Sequence, residues 1–154
     1  ELDMIQVHIK ALTALTKSFL PGMIERGYGR ILNIGSTGSY MPCPYDAVYA
    51  ATKAYVLSFS NGLYQELKGT GVTVTCLCPG ATQTLFAEKA NINDTLLFKF
   101  FVMQPEVVAA IGYNNLQKGK RVVTAGLYNK LLVLSAKLLP VSITNPIAQW
   151  MIKM

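Results

Sequence analysis

Ile5, Ile9, Leu12 and Phe19 recur at helical spacing almost from the first residue and predict a helix over 3–26. Pro21 is expected to kink that helix, and Gly27 to end it in a left-handed cap. The period then changes. Arg30 to Ser36 is a short apolar run ending in small residues, which predicts a buried strand; Gly38 to Asp46, with Pro42 and Pro44, reads as a loop. A second helix is expected over 47–68, stopped at Gly69 and Gly71. The β-branched run Val72-Thr73-Val74-Thr75-Cys76-Leu77-Cys78 predicts a second strand, broken by Pro79-Gly80. Residues 81–104 read as irregular or weakly helical. Pro105-Glu106 opens a third helix, with proline at its first position and an acid in its first turn. Gly119 closes it, and Arg121 to Ala125 predicts a third strand. Leu127 to Leu139 is amphipathic. Asn145-Pro146 reads as the cap and first residue of a last helix with Ile147, Trp150, Met151 and Met154 on one side.

Strands and helices alternate without internal repeats, which implies parallel pairing through right-handed crossovers. The expected fold is α/β and Rossmann-type: a partial doubly wound parallel sheet of three strands with flanking helices. An all-parallel sheet has both faces covered and usually more strands, so three strands this apolar read as part of a sheet.

The chain has 154 residues, one domain's worth, of which 51% are apolar and 14% charged, against about 25% charged in an average domain. That excludes disordered, collagen-like, coiled-coil and low-complexity classes. The net charge of +6 is unevenly placed: residues 1–106 hold eight Lys/Arg and eight Asp/Glu, and residues 107–154 hold six Lys/Arg and no acid. Apart from Lys118-Gly119-Lys120-Arg121 the basic residues are spread out, so no nucleic-acid partner is expected. The basic, apolar tail reads either as a peripheral membrane contact or as a solvated face. No apolar run approaches the about 20 residues that span a bilayer. Cys43, Cys76 and Cys78 do not resemble a secreted disulfide framework, and a reducing, cytoplasmic setting is expected. Cys76 and Cys78 share one face of their strand and read as small core residues, with a redox or metal role as the alternative. One histidine, three cysteines and scattered acids give no expected metal site.

The candidate chemistry begins with Tyr49 and Lys53, four apart on a predicted helix and so about 6 Å from each other on one face. An ammonium beside a phenol favours phenolate and draws its pKa down from about 10. Such a group suits general acid catalysis of ketone reduction, or general base catalysis of alcohol oxidation. The spacing alone also fits an exposed helix pair. Ser36 ends the first strand and Pro79-Gly80-Ala81-Thr82-Gln83-Thr84 follows the second. In a parallel α/β sheet those positions line the ligand crevice at the carboxyl ends of the strands.

In that order, Asn33-Ile34-Gly35-Ser36, Tyr49-Ala50-Ala51-Thr52-Lys53-Ala54 and Pro79-Gly80-Ala81-Thr82-Gln83-Thr84 resemble the strand-ending serine, the Tyr-x-x-x-Lys segment and the Pro-Gly-x-x-x-Thr turn of the short-chain dehydrogenase/reductase family. The resemblance covers roughly residues 1–126, here taken as the part carrying the catalytic residues; residues 127–154 are an amphipathic basic helical tail. It implies an NAD(P)-dependent oxidoreductase using NAD or NADP. Tyr49 would be proton donor and acceptor, and Ser36 would polarise the substrate carbonyl. Lys53 would bind the nicotinamide ribose and lower the Tyr49 pKa. Pro79, Gly80, Thr82 and Thr84 would contact the nicotinamide.

Two departures accompany the resemblance. Val7-His8-Ile9 stands where the family usually has an asparagine serving a proton relay, so His8 is a candidate relay group or a merely hydrogen-bonded histidine. The family's Gly-rich phosphate loop has no counterpart, and the chain reads as the C-terminal part of such an enzyme, inactive alone. The apolar stretch Phe86, Leu96, Leu97, Phe98, Phe100, Phe101 and Met103 reads as a lid over an apolar carbonyl or alcohol substrate, or as plain packing. A homodimer or homotetramer is expected. The rival readings are a non-enzymatic dimerisation or binding module, built on helices 3–26 and 47–68, and a membrane-peripheral protein led by the tail.

Overall fold

The computed structural model of the chain describes residues 1–85 and 101–152. Its first helix is continuous in three stretches: α1 (Leu2–Ile5), a wider π-helical stretch (Gln6–Ala11) and α2 (Leu12–Glu25), which contains Pro21. Gly27, at φ +66°, ends it in the left-handed region, where a residue lacking Cβ is unstrained. Strand β1 (Gly29–Ile34) leads into a 3₁₀ turn (Thr37–Tyr40) and then α3 (Ala47–Glu66). Strand β2 (Val72–Cys78) follows. Beyond the Pro79-Gly80 turn come α4 (Pro105–Gln117), β3 (Val122–Thr124), α5 (Leu127–Leu138) and α6 (Val141–Ile152).

The three strands form one sheet in the order β1-β2-β3, parallel throughout, with Gly29 beside Val72 and Cys76 beside Val122. The central strand is buried on both faces because helices cover both. Val72 and Val74 pack with Leu20, Leu63 and Leu67 of the α2/α3 layer, whereas Leu77 points the other way, to Val108 of α4 and Ala125. Burial of each such side chain contributes about 1.5–3 kcal/mol. Asn33 Nδ2 donates to Ser60 Oγ at 2.9 Å, and Ser60 donates in turn to the Val56 carbonyl, so a buried polar link ties β1 to α3.

The last helix departs from expectation. It begins at Val141, not at Pro146, because the Pro140 carbonyl already accepts from the amides of Ile143 and Thr144; Pro146 lies inside it. Tyr45, at φ +68°, is the one non-glycine residue in the left-handed region among the described residues, and its hydroxyl accepts from Gln149 Nε2 at 2.9 Å, tying α6 to the loop before α3.

Candidate active site

Both β1 and β2 end at the same sheet edge, and their following turns are tied together: the Thr37 amide donates to the Pro79 carbonyl at 2.8 Å. Ser36 lies just beyond β1 as the N-cap of the 3₁₀ turn. Its Oγ accepts from the Gly38 amide at 3.1 Å, and its own amide donates to Ser39 Oγ at 3.0 Å. Ser39 Oγ donates onward to the Lys53 carbonyl at 2.8 Å. One buried hydroxyl therefore holds the strand tip against the first turns of α3, where Tyr49 and Lys53 sit.

The three principal candidates converge. The Ser36 side chain lies near enough to the Tyr49 phenol to favour its charged form, and Lys53 Nζ lies 5.6 Å from the centroid of the Tyr49 ring. Lys53 gives a hydrogen bond to the Ile34 carbonyl at 3.0 Å, so its ammonium lies at the carboxyl edge of β1. His8 reaches the cluster from the π-helical stretch: its Nδ1 is 3.0 Å from Thr52 Oγ1, and its ring meets the Tyr49 ring edge-on at 6.1 Å. The extra residue per turn in that stretch marks an adjusted helix at the point where the histidine joins the site.

The electrostatics correct one expectation. The Tyr49 phenol does not come down: burial pushes it above its ordinary value, the Ser36 side chain opposes that, and Asp46 and Cys43 add to the rise. The physical reason is burial, which penalises the phenolate, while the Lys53 ammonium is hydrogen-bonded to the Ile34 carbonyl. Burial also holds Lys53 below the usual lysine range, with Cys76 and Cys78 opposing. Burial, and then the positive Lys53, hold His8 below the usual histidine range.

Pro79 and Gly80 follow β2 directly. A Cβ on Gly80 would stand 2.2 Å from Asn129 Oδ1, so only glycine fits against the buried Asn129 of α5. Asn129 is held in turn, its Nδ2 donating to the Ala125 carbonyl at 2.7 Å. Thr82 Oγ1 donates to the Gly80 carbonyl at 3.1 Å, and Thr82 bridges to Met103. Thr84 is exposed at the end of the turn. Ser39, Thr52 and Asn129 were not singled out from the sequence. Ser36-x-x-Ser39 carries a capping-box signal for the first; the other two act through contacts distant in sequence.

Cys76 and Cys78 point to one side of β2, their sulfurs 3.8 Å apart, in a core cluster with Val56. Phe86, Leu96, Leu97, Phe98 and Phe100 of the expected lid lie outside the described residues. Phe101 stacks on Tyr128 with centroids 3.8 Å apart, and Met103 packs on the Leu77, Val108 and Ala125 cluster.

A family model for short chain dehydrogenases matches residues 2–95. The chain belongs to the short-chain dehydrogenase family. Within that family it is 48% identical over 77 residues to the NADP-dependent 3-hydroxy acid dehydrogenase of Escherichia coli strain K12, covering 50% of this chain and 31% of that protein. It is 44% identical over 84 residues to sulfoacetaldehyde reductase 2 of Chromohalobacter salexigens, covering 54% and 33%. The chain thus spans about a third of the length of the curated relatives it matches. Its fold superposes on a short-chain dehydrogenase from Sphingobium yanoikuyae in complex with NADPH, with TM-score 0.72 and 28% identity, over 86% of this chain and 52% of that one.

Proposed function

We propose that the whole protein is an NAD(P)-dependent oxidoreductase that interconverts a carbonyl and an alcohol on an apolar small molecule, with Tyr49 as general acid and base. The observation that carries this reading is the meeting of Ser36, Tyr49 and Lys53 at one strand edge, with the serine side chain beside the phenol and the ammonium 5.6 Å from the phenol ring.

The nicotinamide cofactor, when bound, supplies or accepts the hydride. The residues present suit it. Lys53 is a half-buried donor that gives one of its three ammonium hydrogens to Ile34 and leaves two to serve a ribose diol. The Pro79-Gly80 turn stands at the same edge, where Gly80 leaves backbone rather than side chain exposed; Thr82, whose hydroxyl is given to the Gly80 carbonyl, offers its backbone, and Thr84 its hydroxyl. The Ser36 hydroxyl and the Tyr49 phenol point to one substrate oxygen. Serine orients it; tyrosine moves a proton to it or from it. The same phenol acts as acid in carbonyl reduction and, once deprotonated, as base in alcohol oxidation. NADP is favoured over NAD by the relative named NADP-dependent and by the structural neighbour holding NADPH. His8 is a positioning group, bound through the Thr52 hydroxyl to the backbone of Tyr49.

The exposed apolar residues Val7, Leu15 and Phe19 along the first helix support homodimer formation through that surface and α3. The three free cysteines support a reducing, cytoplasmic setting.

The test is NADPH consumption by the whole protein against a panel of apolar ketones and aldehydes. Carbonyl-dependent consumption is expected. No turnover with NADPH or NADH, together with no cofactor binding by calorimetry, overturns the reading.

A further inference from the structure

The α5 helix presents two opposite sides, one packed and one exposed. One side faces the protein through buried Asn129 and Val133. The other carries Leu127, Leu131, Leu134 and Leu138, which are 75%, 59%, 51% and 73% exposed. Their spacing of four, three and four residues sets all four in one stripe along the helix. On α6, Ile143, Ile147 and Trp150 repeat the pattern with spacings of four and three, and all three are exposed. A contiguous exposed apolar stripe of this length marks an interaction surface.

Charge selects the cover. Residues 107–154 carry six Lys/Arg and no Asp/Glu. Lys130 and Lys137 lie three and ten residues after Leu127, which places both on the same flank of the leucine stripe. Both are exposed, and Lys137 Nζ lies 4.9 Å from the Tyr40 ring. Among the described residues of α5 and α6 the charged side chains are Lys130 and Lys137, both positive, so two copies of this face repel each other and charge disfavours a second copy. A leucine and tryptophan face bordered by lysines matches an interface with hydrocarbon below and anionic headgroups above. Among the described residues no helix is long and apolar enough to cross a membrane, so the contact lies in the plane of the surface.

We propose that the outer face of α5 and α6 docks on an anionic lipid surface, with Leu131, Leu134 and Trp150 entering the acyl boundary and Lys130 and Lys137 at the headgroups. This inference stands independently of the catalytic reading, because no residue of the stripe belongs to that site.

The experiment is sedimentation of the whole protein with vesicles of phosphatidylcholine alone or containing phosphatidylserine, beside light scattering for oligomeric state. Expected is binding to the phosphatidylserine vesicles that falls roughly tenfold or more in Leu131→Gln/Leu134→Gln, and also falls in Lys130→Glu/Lys137→Glu. Because these side chains are exposed, both variants keep the circular dichroism and melting curve of the parent. Three results overturn the proposal: no binding to either vesicle; binding that both variants retain; or a solution dimer that the leucine variant splits while vesicles go unbound.

Discussion

His8 Nδ1 donates its proton to Thr52 Oγ1. The Thr52 hydroxyl has a single hydrogen, which it gives to the Tyr49 carbonyl at 2.8 Å, so towards the imidazole 3.0 Å away it can only accept. The neutral ring therefore carries its hydrogen on Nδ1 and its lone pair on Nε2. Thr52→Val keeps the shape of a buried side chain and removes that acceptor. It is expected to lower stability by about 1–3 kcal/mol in urea unfolding, and an unchanged midpoint would contradict the assignment.

The same histidine sets a pH dependence. Its folded pKa lies below the ordinary 6.5, so the unfolded chain takes up the proton first as pH falls. Stability is full above pH 6.5 and is lost as pH falls below it towards the lower folded value. His8→Gln removes this dependence. The check is the difference between the two stability curves across that window, which is flat if His8 is not the cause.

Gly80 and Asn129 form a pair that a double-mutant cycle resolves. Gly80→Ala alone places a methyl against Asn129 Oδ1 and is expected to cost about 1–3 kcal/mol. In an Asn129→Ala background the methyl has room, and the same substitution costs less. Additive effects would show that the two do not touch.

Much of this arrangement was legible in the sequence, and the reasons are local. Val72 to Cys78 declared a buried strand by its β-branched alternation, and Gly27 marked its helix end because the left-handed cap needs glycine. The order of Ser36, Tyr49, Lys53 and Pro79-Gly80 sufficed to predict one shared edge. What was not legible depends on direction and distance. No spacing reveals that Lys53 turns to the Ile34 carbonyl or that the phenol is buried, so the phenol was expected to shift down when burial takes it up. No local signal marks Asn129 behind Gly80, nor the π-helical stretch around His8. Pro146 misled because proline favours a first turn, yet Pro140 had already started the helix.

Burial and neighbouring Asp46 push the Cys43 thiol up to about 11, from 9.0. Alkylation proceeds through the thiolate, so iodoacetamide at pH 8 is expected to label Cys43 roughly a hundredfold more slowly than a free cysteine. Cys76 and Cys78, both fully buried, are expected to react only on unfolding. Mass spectrometry of a labelling time course reads all three sites, and fast labelling of Cys43 in the folded protein would contradict its burial.

The central claim is that the Tyr49 hydroxyl transfers the proton to an oxygen held by Ser36. Its most direct test is the turnover number of Tyr49→Phe in the whole protein with NADPH and a carbonyl substrate. The ring and its packing remain, so the melting temperature and NADPH affinity are expected to hold while kcat falls about 10²–10⁴-fold. Turnover equal to the parent's, in a folded variant that still binds NADPH, would contradict the claim.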